Sequence, residues 1–128
     1  MYNHMVIRSE VSAPPSDAQV DRIFRALADA TRRDIVRRTL GEEATVSALA
    51  ALYEMSFAAV QKHVSVLESA DLVTKRRQGR ERLVRGNPDT IRGAQALLDE
   101  YARIWQGRIS RLDALLADTT TQDTSGQH

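Results

Sequence analysis

Six basic side chains fall between Val73 and Arg85, namely Lys75, Arg76, Arg77, Arg80, Arg82 and Arg85, with a single acid, Glu81, among them. That stretch carries a net +5 while the whole 128-residue chain carries only +1, which leaves −4 for everything else. Positive charge gathered into one short segment of a near-neutral chain is the footprint of phosphate binding, because each neutralised phosphate releases condensed counterions. A solvated pair of basic strands is the plainer reading of the same residues. A second group lies just upstream: Ala58, Gln61, Lys62 and Ser65. Val60, Val64 and Leu67 recur at i, i+4 and i+7, as the inward face of a helix does. At about 100° per residue the four polar or small residues then fall on the opposite side. Such a face suits a DNA major groove. Small residues permit close approach, a Gln amide can bond two edge atoms of adenine, and a Lys can reach guanine or phosphate. Taken alone, this helix face fits ordinary solvation at least as well.

Elements must hold these groups in place. Ser56 is set to cap a helix running to about Ala70, and Thr45 caps a shorter one carrying Val46, Leu49 and Leu52. Leu72–Gln78 and Glu81–Arg85 read as two strands about a Gln78-Gly79-Arg80 turn, where Gly79 takes positive φ without steric cost. Helix, turn, helix and basic hairpin in that order are the plan of a winged helix-turn-helix. Upstream, Ser16 caps a first helix with Val20, Ile23, Phe24 and Leu27 at i, i+3, i+4 and i+7. Asp29 caps a second, with Ile35, Val36 and Leu40 expected inward and Gly41 as its stop. Arg32 and Arg33 are read as partners of Asp29 or Asp34, or as solvated charges, ahead of phosphate contacts made from the helix flank. Asn87-Pro88-Asp89-Thr90 starts a last helix, with a cap, a first-turn proline and an acid at the positive end of the dipole. It is expected to continue to about Leu116.

Three ordered segments carry a family resemblance. They are Phe24-Arg25-Ala26-Leu27-Ala28-Asp29-Ala30-Thr31-Arg32-Arg33, then Met55-Ser56-Phe57-Ala58-Ala59-Val60-Gln61-Lys62-His63-Val64, then Leu67-Glu68-Ser69-Ala70-Asp71-Leu72-Val73. Together, over roughly Val20 to Leu116, the chain resembles bacterial ArsR/SmtB-type repressors. The resemblance implies a mainly α fold with a small β-hairpin wing, in the order of four helices, two strands and a fifth helix. It also implies a homodimer through the first and last helices that binds double-stranded DNA at a pseudo-palindromic operator. On that basis Ser56, Phe57, Ala58, Gln61, Lys62, His63 and Ser65 are candidate contacts of the recognition helix. Lys75, Arg76, Arg77, Arg80 and Arg82 are candidate contacts of the wing. The sequence departs from the family at Ala30, where many relatives have proline, and at Asp71, where they usually have glycine. A left-handed residue at Asp71 is expected to store about 1 kcal/mol of strain unless the helix ends differently.

The last helix bears on assembly. Ile91, Ala94, Leu98, Tyr101, Trp105, Leu112 and Leu115 follow a three-four spacing broken only by Arg108, with Ile109 beside it. An apolar seam of that length needs a second surface, most simply the same helix from another copy in a two-fold dimer. Phe24, Leu98, Tyr101, Trp105, Ile109 and Leu112 are the candidate interface, with Tyr101 and Trp105 as aromatic anchors. The expected organisation is a flexible arm over 1–15, one DNA-binding and dimerisation domain over 16–116, and a disordered tail over 117–128.

Other chemistry finds few residues. The chain has no cysteine, which removes disulfides, thiol nucleophiles and thiolate metal sites. Within the resembled family one metal site begins with a Cys-X-Cys pair, and the matching positions here are Thr45-Val46-Ser47. The other uses His and carboxylates on the last helix, which holds Asp89, Asp99, Glu100 and Asp113 but no histidine. His4, His63 and His128 form no cluster, so no metal or other cofactor is expected. His63 lies about 60° from the inward line of its helix and is read as a structural residue or phosphate neighbour. No Ser-His-Asp order, nucleophile elbow or phosphate-cradling loop is present, so an enzyme is not expected. No apolar run approaches about 18 residues and the first fifteen lack a signal-like segment, which predicts a cytoplasmic protein without membrane partners. Two alternatives stay open: a repressor responding to a small-molecule effector at the dimer seam near Trp105, and a winged-helix protein-interaction module that does not bind DNA.

Overall fold

The computed structural model describes the backbone of residues 14–126 and the side chains of residues 14–119. Residues 1–13 of the expected arm, with His4 and His128, lie outside the described residues. The elements in chain order are α1 (Asp17–Leu27), α2 (Ala30–Gly41), β1 (Ala44–Thr45), α3 (Val46–Ala50), α4 (Phe57–Ser69), β2 (Val73–Gln78), β3 (Glu81–Gly86) and α5 (Pro88–Gly126). This is the mainly helical winged helix-turn-helix order, with one addition. The wing is a three-stranded antiparallel sheet ordered β1-β3-β2, because Ala44 and Thr45 pair with Val84 and Leu83. Two residues pairing with strand positions almost forty residues away leave no local pattern to read.

The caps lie where hydroxyl and carboxylate side chains predict them. Ser16 accepts from the amide of Gln19, Asp29 from Arg32, Thr45 from Ala48 and Ser56 from Ala59. One unit of the chain ends at Ala94 and a second begins at Gln95. In the first, Ile23 and Ala26 of α1, Ile35 and Val36 of α2, Val46 and Leu49 of α3, and Val60, Val64 and Leu67 of α4 close on Leu72, Val73 and Val84. Ile91 and Ala94, from the first turns of α5, join that core.

One inward assignment, on α2, is corrected. On α1, Ile23 and Ala26 take the buried line and Phe24 is partly exposed. Leu40 is 43% exposed, and Thr39 is buried in its place with its hydroxyl donating to the Ile35 carbonyl at 2.7 Å. A β-hydroxyl that satisfies itself on its own helix can be buried without an unpaired polar group. Leu40 instead lies over Gly86, where an added Cβ would approach its Cγ to 2.7 Å.

Asp71 adopts φ +60°, the left-handed one of the two endings left open for it. The amide of Leu72 donates to the Leu67 carbonyl and that of Asp71 to the Glu68 carbonyl, each at 3.0 Å, which is a complete Schellman ending. The carbonyl of Asp71 then accepts from the Asn87 side-chain Nδ2 and the Thr90 hydroxyl, at 3.0 and 2.6 Å. The junction between α4 and the wing is therefore tied to the start of α5.

In the second unit the helical backbone passes the expected end at Leu116 and reaches Gly126, so the segment expected to be a disordered tail is helical that far. No proline or glycine falls between Arg108 and Ser125 to interrupt it, and Thr119 donates to the Leu115 carbonyl. Leu98, Tyr101, Ile104, Trp105, Leu112 and Leu115 are all at least half exposed, while Ile109 is half-buried. The Arg108 guanidinium lies 5.8 Å from the centre of the Trp105 ring, within cation–π range. Among the described residues no helix is long and apolar enough to cross a membrane.

Candidate nucleic-acid interface

The outer face of α4 follows from its inner one. With Val60, Val64 and Leu67 fully buried, Phe57, Ala58, Gln61, Lys62 and Ser65 are exposed. Ser56, at the cap, has its hydroxyl occupied by the Ala59 amide at 3.0 Å. His63 is placed elsewhere. It is half-buried against α2, with Nδ1 3.3 Å from the Arg32 guanidinium and 3.9 Å from the Asp29 carboxylate. It therefore stands apart from Gln61 and Lys62, on the side where α4 meets the α1–α2 junction.

The hairpin is a two-residue turn of Gly79 and Arg80, with positive φ at Gly79 alone, as a type II′ connection has. Its register sets Arg77 directly opposite Arg82 and Lys75 opposite Val84. Side chains alternate along a strand. Lys75, Arg77 and Arg82 thus continue the face that begins with buried Val73 and Val84, while Arg76 points to the other face. Lys75 is the most enclosed of the wing cations, 14% exposed, with its ammonium 3.3 Å from Glu68 of α4. Arg76 forks onto Glu43 at 3.0 and 3.2 Å. Among the described residues Arg77, Arg80, Arg82 and Arg85 form no ion pair. Like charges facing each other across a strand pair, as Arg77 and Arg82 do, favour an anion between or beside them.

These groups converge on a groove of about 440 Å³ lined by Thr45, Val46, Ser47, Phe57, Gln61, Lys75, Arg80, Glu81 and Arg82. The start of α3, the first turns of α4 and the wing thus form its three sides. Of the residues singled out from sequence, the groove gathers Phe57, Gln61, Lys75, Arg80 and Arg82. Ala58, Lys62 and Ser65 are on the exposed face of α4 beside it, and Arg76 and His63 lie away from it. Thr45, Ser47 and Glu81 were not singled out as groove residues, and only the folded hairpin brings them there.

Arg32 and Arg33 meet their expectation only in part. Arg32 acts on Asp29 through its backbone amide and its charge, but both side chains donate to backbone carbonyls and neither pairs with Asp34. Arg32 donates from Nε to the Ala26 carbonyl at 2.7 Å and from Nη2 to that of Arg25 at 3.2 Å, and Arg33 donates to the Leu27 carbonyl at 2.8 Å. They cap the C-terminal end of α1, whose last carbonyls lack intrahelical donors. Asp29 is bound by the backbone amide of Arg32, which, with the charges of His63 and Arg32, holds its carboxyl below the usual carboxylate range. Asp34 serves a different set: Tyr53 donates to it at 2.6 Å, and Arg38 and Arg37 pair with it. The hydrogen bonds from Tyr53 and then Arg38 lower the Asp34 carboxyl. Burial, then the bond to Asp34, pushes the Tyr53 phenol up to about 12. This cluster ties the turn between α3 and α4 to α2. Among the described residues no group of three or more His, Cys, Asp or Glu side chains could hold a metal ion.

Comparison with known proteins matches this arrangement. Residues 27–76 fit the family model described as a helix-turn-helix domain. The chain is 36% identical over 104 residues to the HTH-type transcriptional regulator Rv2034 of Mycobacterium tuberculosis, across 81% of this chain and 94% of that protein. It superposes on the crystal structure of an ArsR family transcriptional regulator, RHA00566, with TM-score 0.68 and 32% identity, covering 73% of this chain and 97% of the other. It also resembles the homodimeric winged helix-turn-helix DNA-binding domain of Mb0332 from Mycobacterium bovis, at TM-score 0.56 and 30% identity over 71% of this chain and 90% of that one. With its fold, its basic wing and these relatives, the chain belongs to the ArsR family of winged helix-turn-helix transcriptional regulators.

Proposed function

We propose that the chain is a dimeric repressor that reads a pseudo-palindromic DNA operator, with α4 in the major groove and the wing on flanking backbone. The observation that carries this reading is the single groove where the first turns of α4 meet Lys75, Arg80 and Arg82 of the wing. Gln61 and Lys62, with Ala58 and Ser65, supply the base-reading face. Arg77, Arg80 and Arg82 supply the phosphate contacts, joined by Arg76 when phosphate displaces its exposed partner Glu43, an exchange that a surface ion pair opposes only weakly, and by the more enclosed Lys75. Two recognition helices would meet successive major grooves about 34 Å apart.

Dimerisation is supported by the exposed Leu98, Tyr101, Trp105 and Leu112 of α5 and the exposed Phe24 of α1, and by the homodimeric state of the relative from Mycobacterium bovis. Residues 16–116 then form one DNA-binding and dimerisation domain, which acts in the cytoplasm by binding, without chemistry of its own.

The test is footprinting on the DNA upstream of the protein's own coding sequence, followed by Gln61→Ala. The substitution is expected to cost roughly 1 to 3 kcal/mol on the protected operator and much less on random duplex. Equal loss on both would exclude base reading by Gln61. Absence of binding to any duplex at low salt would favour a protein-interaction module instead.

A further inference from the structure

Phe57 is the one large apolar side chain at the tip of α4, and it is 49% exposed. It is the first residue of the helix, and in helix-turn-helix proteins the N-terminal residues of the recognition helix approach base edges. Its polar neighbour Ser56 is oriented by the cap, its hydroxyl oxygen accepting from the Ala59 amide. Phe57 and Gln61 line the same groove beside Arg80 and Arg82, so the half-exposed ring opens on the cationic side of the domain. Around the helix the two residues are about 40° apart, and along it about 6 Å.

The major groove displays hydrogen-bonding atoms on every base pair, but among the standard bases only thymine, through its 5-methyl group, offers an apolar surface there. An aromatic edge that must leave water on binding gains most against that methyl and gains little against the amino group of cytosine. We infer that Phe57 is a specificity-determining residue that contacts the 5-methyl group of one thymine in each half-site. That thymine lies within about two base pairs of the adenine bonded by Gln61, from the 6 Å separation and a rise of about 3.4 Å per base pair. The inference rests on the DNA-reading function proposed above and adds to it the identity of a base.

The experiment uses the full chain. Operators are first selected from random duplexes, and each thymine of the selected site is then replaced by uracil, which removes only the methyl group. The unaltered protein is expected to lose about three- to tenfold in affinity at one thymine per half-site, near the position whose identity Gln61→Ala relaxes. Phe57→Ala should bind the thymine and uracil operators alike, and Phe57→Leu should keep part of the difference. A scan in which no uracil weakens the unaltered protein, or a Phe57→Ala variant that still discriminates fully, overturns the inference and leaves DNA reading intact. Selection that enriches no sequence removes the DNA-reading function itself, and this inference with it. Should Phe57→Ala fail to fold, the scan on the unaltered protein and Phe57→Leu decide the matter.

Discussion

Arg32→Ala separates two roles that one arginine near a DNA-binding face can have. In the structure its guanidinium reaches the carbonyls of Ala26 at 2.7 Å and Arg25 at 3.2 Å, and Nδ1 of His63 at 3.3 Å. It thereby joins the end of α1 to α4. Hydrogen bonds from a charged donor contribute about 1.5 to 3 kcal/mol each, but this side chain is half-buried and two of its three contacts are long. A total loss of about 2 to 3 kcal/mol is therefore expected rather than the full sum. With a urea dependence of about 1 to 3 kcal/mol per molar, the unfolding midpoint should fall by roughly 0.7 to 3 M, measured at one fixed protomer concentration. Arg32→Lys should recover little, because an ammonium cannot make the fork. The salt dependence of DNA binding should keep its slope. A midpoint that hardly moves, with a slope shallower by about one unit per half-site, would show that Arg32 binds phosphate and would refute the capping argument.

Other expectations follow from single features. Arg80→Ala, at the exposed wing turn, should weaken binding to all duplexes alike and lower the salt slope by about one unit per half-site with stability within about 0.5 kcal/mol of the unaltered chain; a changed operator preference at constant slope would contradict the wing assignment. Asp71→Gly should raise stability by about 1 kcal/mol in urea unfolding, since φ +60° costs Asp more than Gly while the carbonyl that holds Asn87 and Thr90 is retained. The Tyr53–Asp34 bond should show in the pH dependence of stability. Tyr53, with its pKa raised to about 12, contributes stability below pH 10 that is lost as pH rises through about 12. Asp34, lowered, contributes stability above pH 4 that is lost as pH falls through its folded value. Tyr53→Phe should remove the alkaline loss and reduce the acid one in urea midpoints taken across that range.

What was legible in the sequence was what neighbours in the chain decide. The periodicity of Val60, Val64 and Leu67 set the outer face of α4, and Ser16, Asp29, Thr45 and Ser56 marked helix starts. Gly79 marked the turn, and Asp71 revealed the left-handed helix end. Each depends on backbone geometry within about one turn, where residue type acts directly. Other features depend on partners distant in sequence. Nothing near Arg32 and Arg33 says that they reach back to the carbonyls of α1, because Asp29 and Asp34 were closer charges and the open end of a helix is not a residue type. Thr39 and Leu40 differ by 100° around one helix. Which of them is enclosed depends on the packing of α2 within the fold, which buries Thr39 and leaves Leu40 over Gly86.

For the candidate interface the division is the same. Composition and order by themselves determined that a basic hairpin follows a helix with a polar outer face, since charge count and periodicity are properties of the chain alone. Only the folded sheet decided how the cations are distributed. Its register turned Lys75 to Glu68 and Arg76 to Glu43, set Arg77 opposite Arg82, and brought Arg80 and Arg82 around one groove with Phe57 and Gln61. The physical reason is that a charge is present wherever its residue is, whereas its partner depends on strand register and on the packing of α4 against β2, which arise only when distant segments meet.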